Sequence, residues 1–269
     1  MIISPSAISP YKIPTFQSGG GSGFDLDAQA FINAAGITGI TQQNAINQFV
    51  LDLKSGSVWD LLDFLYPMCP TDDSTASRTG YKWNIKDPRD LDAAHRVTWV
   101  NNPTATTSGI TGNGSSMYGN TNYNANSEGS LNDHMIGFTG NVSGNNMGAT
   151  VGANNPYNST NAGRYWGVNS LFEDAGSSIY TNGFLLQQRT TSSTMALYNN
   201  SSTPIDTSVK ISSSLPNINY FILSRNLSGT PSGYSNTTYT SFFGGRSLSE
   251  AQIASFITAL NSYNTSLGR

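Results

Sequence analysis

The sequence predicts a mainly β protein, an antiparallel sandwich with a small helical segment before it and one helix after it. Beyond Pro70, short runs rich in aromatic and β-branched residues recur between clusters of Asn, Gly and Ser, a pattern that indicates many short strands joined by turns. Apolar residues recur at steps of three and four before Pro67 and after Ser249, so helices are expected at the two ends. Aromatic residues make up 11% of the chain, too many rings for a disordered polar protein.

Length and composition exclude several function classes. At 269 residues, the chain can form one all-β domain of ordinary size or two small domains without disulfide support. A net charge of -3 with 11% charged residues argues against nucleic-acid binding, which needs clustered Lys and Arg. No stretch approaches the roughly 20 apolar residues of a membrane helix, and the first residues lack the basic region of a signal peptide. We therefore expect a soluble protein without membrane insertion.

The residue types that bind metals or cofactors are sparse. Cys69 is the one cysteine, so neither a disulfide framework nor a zinc ribbon can form, and we interpret it as a small buried hydrophobe. His95 and His134 fit no metal-binding spacing, and each is expected to be hydrogen-bonded or exposed. We predict no cofactor and no metal.

Residues 1–23 are predicted to form an extended attachment arm. Prolines at positions 5, 10 and 14 favour an extended backbone, and the glycines that follow make a flexible joint. The arm also carries apolar side chains that a mere linker does not need: Ile2, Ile3, Ile8, Tyr11, Ile13 and Phe16. They favour an arm that docks on another chain, and the alternative is a disordered tail.

Residues 24–70 are predicted to be a helical segment of three short amphipathic helices. Asp25 or Asp27 can cap the first helix, which Gly36 ends. The second helix ends at Gly56, and Ser57 can cap a third helix over residues 57–67. Such short helices bury little alone, so we expect them to fold onto the following domain.

Residues 71–269 are predicted to form the sandwich, with long Asn- and Gly-rich loops between residues 101 and 163. The closing helix is predicted over 249–267. Ser249 and Gln252 form a capping box there, and Leu248 and Ile253 occupy the positions of a hydrophobic staple. The predicted buried stripe of this helix is Ile253, Phe256, Ile257, Leu260 and Tyr263.

Charge is concentrated in residues 81–99, at the border between the helical segment and the sandwich. The charge cluster of this stretch consists of Lys86, Asp87, Arg89, Asp90, Asp92 and Arg96. A functional charge relay would need a nucleophile, and the cluster has none. We therefore predict an ion-paired turn that holds the helices to the sandwich, with a corner at Asp87-Pro88.

Three stretches carry a family resemblance. Residues 25–67, 81–99 (YKWNIKDPRDLDAAHRVTW) and 242–269 (FFGGRSLSEAQIASFITALNSYNTSLGR) resemble structural proteins from phages and prophages of Bacteroidota, including crAss-like phages. Members of this family are described as concanavalin-A-like, or laminin-G-like. The chain departs from the family pattern at His95, where an aromatic residue is common, and in its proline-rich arm. The resemblance implies a virion component with a concanavalin-A-like jelly roll, and it implies no particular ligand.

Aromatic residues in the middle of the chain are the candidate ligand-binding residues. Rings stack on sugar faces, and neighbouring Asn side chains can bind hydroxyls. The candidates are Tyr118, Tyr123, Tyr157, Tyr165 and Trp166. The alternative is that these rings pack the sandwich or a subunit interface.

Glycoside hydrolysis is the enzymatic alternative, because the concanavalin-A-like class contains glucanases. It requires two carboxylates that face each other across a sugar. In that class the carboxylates normally alternate along one strand, and none of Glu128, Glu173 and Glu250 has a carboxylate two residues away. Glu173 and Asp174 are adjacent and would point to opposite faces of a strand. We predict no catalytic residues and no enzymatic activity.

The expected function is that of a phage structural protein on the particle surface, as a spike, head fibre or decoration. It would be assembled in the bacterial host cytoplasm, join other virion proteins through residues 1–23, and bind a host-surface glycan as a homo-oligomer, most plausibly a trimer. One alternative is an architectural capsid cement without a ligand. Another is a virion-associated glycan hydrolase or lyase.

Overall fold

The computed structural model describes residues 23–141, 146–150, 157–161, 165–171, 173–174 and 181–269. The predicted attachment arm therefore lies outside the described residues, apart from Gly23. The helices are α1 Leu26–Ala35, α2 Ile40–Ser55, α3 Ala125–Glu128 and α4 Glu250–Ser266, with one-turn 3-10 helices at Trp59–Leu61, Gly80–Lys82 and Asp92–Ala94. The strands are β1 Leu62–Tyr66, β2 Thr98–Val100, β3 Thr104–Thr106, β4 Gly109–Thr111, β5 Tyr118–Asn124, β6 His134–Gly140, β7 Asn146–Thr150, β8 Tyr157–Asn161, β9 Tyr165–Ser170, β10 Glu173–Asp174, β11 Gly183–Arg189, β12 Thr194–Asn199, β13 Asp206–Val209, β14 Asn219–Ile222, β15 Arg225–Leu227, β16 Thr230–Ser232 and β17 Thr238–Gly245.

These strands form two sheets that pack face to face. The first sheet has the order β13-β12-β11-β6-β17-β4-β3, with β1 also paired to β17. The second has the order β10-β9-β8-β7-β14-β5-β2, and the β15–β16 hairpin joins it at β7. Neighbouring strands are antiparallel except β15 and β7. The predicted mainly β antiparallel sandwich with helices at both ends is confirmed.

Helices α1, α2 and α4 form a third layer on the outside of the first sheet. Their apolar side chains share a core with residues of β11, β12 and β17. Phe256 of α4 contacts Phe243 and Phe184, with ring centroids 4.7 Å and 5.9 Å away. Phe49 of α2 stacks on Tyr263 of α4 at 4.7 Å. The expectation that these helices fold onto the sandwich is therefore correct.

The helix ends follow the sequence signals. Asp25 caps α1 by accepting a hydrogen bond from the Asp27 amide, and Gly36 ends the helix in the left-handed conformation. Ser249 and Gln252 form the predicted capping box of α4. The buried side of α4 is Ile253, Phe256, Ala259, Leu260 and Tyr263.

The third predicted helix is wrong. Residues 57–67 contain one 3-10 turn and then β1, which pairs with β17 in the first sheet. Leu62 and Leu65 pack on the helix side of that sheet, whereas Phe64 and Tyr66 enter the core between the sheets. A short apolar run buried on both faces has no periodicity that separates helix from strand, and pairing with β17 decides the outcome. The boundary predicted at residue 70 consequently falls inside the sandwich.

A second core fills the space between the sheets. It is rich in aromatic rings, including Phe138 and Tyr239, which stack with centroids 4.4 Å apart. A 2.8 Å hydrogen bond joins Nε2 of His134 in the first sheet to the Tyr220 hydroxyl in the second. Cys69 is buried as predicted, and burial raises the pKa of its thiol to about 12.

Candidate functional site

The outer face of the second sheet differs from that of the first because the long helices α1, α2 and α4 pack on the first sheet. Along β5, Tyr118, Asn120, Asn122 and Asn124 are half-exposed, whereas the alternate residues are buried. This is the pattern of a strand with one face on the core and the other in water. The outer face at β5 therefore presents one ring followed by three amides.

The ring at the start of this row belongs to a small aromatic group. Tyr118 lies 4.7 Å from Phe221 and 6.3 Å from Tyr234, measured between ring centroids. Phe221 is 6% exposed and forms the base of the group, while Tyr118 and Tyr234 are half-exposed. We call Tyr118, Phe221 and Tyr234 the ring patch.

The Tyr118 ring of the ring patch is electrically neutral at physiological pH. Partial burial, and then the neighbouring Tyr234, raise the pKa of Tyr118 above its ordinary value, which is about 10. Its hydroxyl therefore stays protonated and can both donate and accept a hydrogen bond. A neutral ring with a polar tip suits contacts that are apolar on one side and wet on the other.

Amide groups continue the row away from the ring patch. Asn120 lies opposite Phe221 on β14 and Thr98 on β2. Its side-chain oxygen accepts the Asn122 amide at 3.0 Å. The Asn122 side chain donates to the Arg96 carbonyl at 2.8 Å. The Asn124 side chain donates to the Asn217 side chain at 3.0 Å.

These hydrogen bonds hold the three Asn side chains in place beside the rings. Of the three, Asn120 lies nearest to the ring patch. Together, Asn120 and the ring patch form the candidate site.

The structure places the other predicted ring residues elsewhere. Tyr123 and Trp166 are fully buried between the sheets. The Tyr123 hydroxyl donates to Asp63 at 2.9 Å, and the Trp166 indole donates to Asp206 at 3.0 Å. As a correction, these two rings pack the sandwich and cannot stack on a surface sugar.

The remaining two candidates, Tyr157 and Tyr165, belong to strands β8 and β9, near the opposite edge of the second sheet from β5. Tyr165 is half-exposed on β9. The backbone of Tyr157 lies in β8, and its side chain is outside the described residues. Tyr118 is thus the predicted residue that the structure places in the candidate site.

Sequence reasoning missed the other two rings. Phe221 follows Tyr220 in β14, and strand alternation requires one ring to face inward and the other outward. The alternation alone does not say which residue faces the core. Tyr234 follows the β15–β16 hairpin in a Ser- and Gly-rich connection and joins the patch through tertiary packing.

The charge cluster lies beside the end of β5, on the surface. Arg96 pairs with Asp90 at 2.7 Å and with Asp92 at 2.6 Å. Lys82 reaches Asp90 at 2.9 Å, and Arg89 pairs with Asp87. The side chains of Asp90 and Asp92 are 54% and 68% exposed, so these pairs are exposed ion pairs, which contribute little to stability.

Other residues of the 81–99 stretch attach it to the rest of the molecule. The Lys86 ammonium donates to the Trp59 carbonyl at 2.6 Å and lies 3.9 Å from the centre of the Trp59 ring. The buried Asn84 side chain accepts the Leu65 amide at 3.0 Å and donates to the Ala94 carbonyl at 3.2 Å. Attachment therefore depends on Asn84 and Lys86 more than on the carboxylate pairs.

Two carboxylates that are distant in sequence come near one another around Tyr123. Glu128 pairs with His95 at 2.7 Å, and Asp63 accepts the Tyr123 hydroxyl. Burial raises the pKa of Asp63, and the Glu128 charge adds to this increase. Both carboxylates already bind protein groups, and the ring between them is buried, so this polar cluster fastens α3 and His95 to the sandwich. Strand spacing could not predict it because the two carboxylates lie on separate elements.

Within the described ranges, the structure has neither a group of residues that suits a metal ion nor a helix that could span a membrane. No group of three or more His, Cys, Asp or Glu residues there could hold a metal ion. None of the helices in those ranges is long and apolar enough to span a membrane.

Comparisons with known proteins identify no family. No protein-family model matches the chain. No curated protein matches it. The similar solved structures include a mutant of Trypanosoma rangeli sialidase displaying trans-sialidase activity, 12% identical with a TM-score of 0.47, in an alignment that covers 83% of this chain and 40% of that one.

Another similar structure is Trypanosoma rangeli sialidase in complex with sialic acid. It is 13% identical with a TM-score of 0.44, and the alignment covers 72% of this chain and 32% of that chain. The chain therefore spans less than half the length of either sialidase. Similarity at this level says nothing about the activity of this chain.

Proposed function

We propose that this chain is a phage structural protein on the particle surface that binds a host-surface glycan through the candidate site. The observation that carries the binding proposal is the ring patch on the half-exposed outer face of β5 and β14. The resemblance to phage structural proteins supports the virion location. Attachment to other virion proteins is assigned to residues 1–23, on their sequence alone.

The chemistry of the site favours a sugar over a charged ligand. Sugars offer apolar C–H faces, which stack on rings, and hydroxyls, which bond to amides and phenols. Tyr118, Tyr234 and Asn120 provide these groups on one face without a charged residue among them. The charges beside the end of β5, those of Asp92 and Arg96, are paired with each other.

A shallow site of this kind binds weakly, so the active form is proposed to be a homo-oligomer, as in the trimer predicted from the sequence. Several linked copies raise avidity by roughly 10² to 10⁴ over a single site. Purified oligomer should therefore bind host cells, and a monomerised form should bind poorly. The surface polysaccharide of the host should keep its length during incubation.

The decisive experiment replaces the rings one at a time. Tyr118→Ala and Tyr234→Ala should each reduce binding to host polysaccharide by about 5- to 150-fold, because alanine removes a stacking ring worth about 1–3 kcal/mol by analogy with base stacking on aromatic residues. Tyr165→Ala is the matched control, since Tyr165 is also a half-exposed tyrosine of the second sheet but lies on β9. Circular dichroism confirms that each variant is folded.

The outcomes separate the proposed function from its alternatives. Loss of binding in Tyr165→Ala alone would move the site to the other side of the sheet. Shortened polysaccharide would establish a hydrolase or lyase and overturn the adhesion proposal. An oligomer that binds neither cells nor glycan but is required for particle stability would establish an architectural cement.

The pH dependence provides a second check. Tyr118 stays neutral because its pKa is raised, so the affinity of the folded protein should change little between about pH 5 and 8, where ordinary tyrosines are uncharged. A large change in affinity over this range, with the fold intact, would mean that ionised groups take part in binding.

A further inference from the structure

Asn120 presents a hydrogen-bond donor of fixed orientation to the candidate site. Its side-chain oxygen accepts the backbone amide of Asn122 at 3.0 Å. A backbone N–H can only donate, so the atom that meets it must be the oxygen, and the side-chain nitrogen of Asn120 points away from it. Asn120 is half-exposed on the outer face of β5. Its NH₂ group, with two N–H donors, therefore lies beside the ring patch.

The three amides of the row differ in whether the side-chain nitrogen has a protein partner. The Asn122 nitrogen donates to the Arg96 carbonyl at 2.8 Å. The Asn124 nitrogen donates to the Asn217 side chain at 3.0 Å. For the Asn120 nitrogen, the described part of the chain supplies no acceptor. Of these three amides, Asn120 is thus the one whose donors remain for a ligand.

A hydroxyl and a pair of methyl groups flank this donor on the β2 side. Across the ladder between β5 and β2, Thr98 is opposite Asn120, and Val100 is opposite Tyr118. Residues that are directly opposite in a ladder point to the same face, with Cβ atoms about 4.5–5.5 Å apart. Thr98 is exposed and Val100 is half-exposed. The outer face therefore places a ring, an amide donor, a hydroxyl and the Val100 methyl groups next to one another.

We propose that the glycan bound at the candidate site carries an acetamido group, the N-acetyl substituent of an amino sugar, and that Asn120 determines this specificity. The carbonyl oxygen of the group accepts a hydrogen bond from the Asn120 nitrogen. Its N–H donates to the Thr98 hydroxyl, and its methyl group packs on Val100. This inference rests on the proposed function, because it assigns the kind of sugar that binds at the ring patch.

The chemistry of these side chains favours an acetamido group over the other substituents of a sugar. The Asn120 nitrogen only donates, and a carbonyl oxygen only accepts, so the two match. A sugar hydroxyl can also accept, but it has no methyl group to remove the apolar surface of Val100 from water. A carboxylate is bound most strongly by Arg or Lys, and neither residue type is among these side chains.

The first test compares two trisaccharides that differ in one substituent of each ring. Tri-N-acetylchitotriose and cellotriose have the same backbone and linkage, and an acetamido group of the first replaces a hydroxyl of the second. Titration of the full chain, followed by protein NMR, measures both affinities. The acetylated trisaccharide should bind at least about fivefold more tightly, from one additional hydrogen bond and one buried methyl group.

Asn120→Asp tests the donor itself. The aspartate keeps an oxygen for the Asn122 amide, but an acceptor replaces the donor. The ratio of the two affinities should fall by about 2- to 12-fold, the effect of one hydrogen bond. Asn124→Asp is the matched control, because it adds the same charge to the same face of β5 and keeps the oxygen that accepts the Asn126 amide at 3.0 Å. Its ratio should equal that of the parent.

Val100→Thr tests the methyl contact. Threonine has a similar size and exchanges one methyl group for a hydroxyl, so the ratio of affinities should fall by about fourfold. Circular dichroism confirms that each variant is folded. Should Asn120→Asp fail to fold, Thr98→Val provides a second test of the polar contacts, since it removes the hydroxyl and keeps the branched side chain. It should also lower the ratio.

The contrary outcomes separate this inference from the proposed function. Equal affinity for the two trisaccharides, or binding of neither, would overturn the acetamido assignment. An unchanged ratio in Asn120→Asp, or an equal fall in Asn124→Asp, would overturn the role of Asn120. Host polysaccharide that binds the parent but not Tyr118→Ala, together with equal affinity for the two trisaccharides, would support the proposed function and refute this inference. Host polysaccharide that binds neither protein would refute the proposed function.

Discussion

The first sheet is covered on both faces, by helices α1, α2 and α4 and by the second sheet, whereas alternate residues of β5 in the second sheet are half-exposed in the part of the chain that the structure describes. Both sheets carry many aromatic residues. In the first, Phe184 and Phe243 lie beneath α4, so their rings supply stability. In the second, Tyr118 and Tyr234 remain half-exposed, so their rings are available to a ligand. The same residue type therefore serves folding or binding according to which face has a covering layer.

The largest expected effect comes from removing a ring beneath the helical layer. Phe256→Ala should lower the free energy of unfolding by about 3–5 kcal/mol, because it removes a fully buried ring and leaves a cavity. Phe256 is 0% exposed and contacts two other rings. Guanidinium denaturation monitored by circular dichroism measures the change.

Tyr118→Ala is the matched variant on the second sheet. It should lower the free energy of unfolding by no more than about 1 kcal/mol, since substitutions of exposed residues usually have small effects. Equal losses in Phe256→Ala and Tyr118→Ala would show that the ring patch is part of the core, and the distinction between the sheets would fail.

The contact between the two sheets predicts a pH dependence of stability. Burial lowers the pKa of His134 from 6.5 to about 4, so the unfolded chain binds this proton more readily than the folded one. Above about pH 6.5, His134 is neutral in both states and does not destabilise the fold. As the pH falls from there toward 4, the unfolded chain takes up this proton first, so the free energy of unfolding decreases. Between pH 7 and pH 5 the free energy of unfolding should fall by about 2 kcal/mol from this group, at 1.36 kcal/mol per pKa unit.

His134→Gln isolates this contribution. At pH 7 the variant should be less stable than the parent, because it lacks the imidazole that bonds to the Tyr220 hydroxyl. Since it also has no imidazole to protonate, its free energy of unfolding should fall less than that of the parent between pH 7 and pH 5. Denaturation curves of both proteins at the two pH values measure the difference. Parallel pH dependence in the parent and the variant would assign the effect to groups other than His134.

A smaller effect is expected where the 81–99 stretch meets the helical layer. Lys86→Met keeps the aliphatic stem but removes the ammonium that bonds to the Trp59 carbonyl and lies over its ring. The loss should be about 1–3 kcal/mol, the range for a charged hydrogen bond and a cation–π contact. Lys82→Met is the control, since Lys82 lies over Trp83 and pairs with the exposed Asp90; it should cost less. A larger loss of unfolding free energy in Lys82→Met than in Lys86→Met would mean that Lys82, and not Lys86, attaches the 81–99 stretch.

The sequence predicts those elements whose signals are local. The Asp25 cap, the Gly36 stop and the Ser249–Gln252 capping box each lie within one turn of the helix that they end. For β1 there is no such local signal, because its residues are apolar on both faces. Its pairing with β17 joins residues that are about two thirds of the chain length apart, as Leu62 and Gly245 are.

The candidate site is less predictable for the same reason. Ring content indicates a sugar surface or a core, and the choice depends on which face of each strand is covered. Tyr118 and Tyr123 belong to one strand and are five residues apart. Because side chains alternate between the two faces, Tyr118 is half-exposed on the outer face and Tyr123 is buried. The rings that complete the patch come from β14 and from the connection before β17, and only the tertiary fold brings these elements to β5.

The smallest expected effect concerns the charge cluster. Removing one partner of a buried cluster would be strongly destabilising, but this cluster is exposed. The Asp90 side chain is 54% exposed. Hydrogen bonds from Arg96, and then from Lys82, lower the pKa of Asp90, so its contribution is present above its ordinary pKa and is lost only as the pH falls through the lower folded value. After Asp90→Ala, Arg96 keeps Asp92 at 2.6 Å and Lys82 keeps the Trp83 ring at 4.4 Å, so neither cation loses all its contacts.

Asp90→Ala should therefore leave the free energy of unfolding unchanged within error near 0.15 M salt, where surface charges are screened. Thermal and guanidinium unfolding at low and physiological ionic strength measure this, with Lys86→Met as the comparison that should lose stability. Glycan binding should also be unchanged, because Asn122 bonds to Asp92 and to the Arg96 carbonyl and not to Asp90. Unaltered stability with lost binding would extend the candidate site from the rings along β5 to the charges. A loss of stability as large as that of Lys86→Met would instead mean that the exposed ion pairs attach the 81–99 stretch to the sandwich.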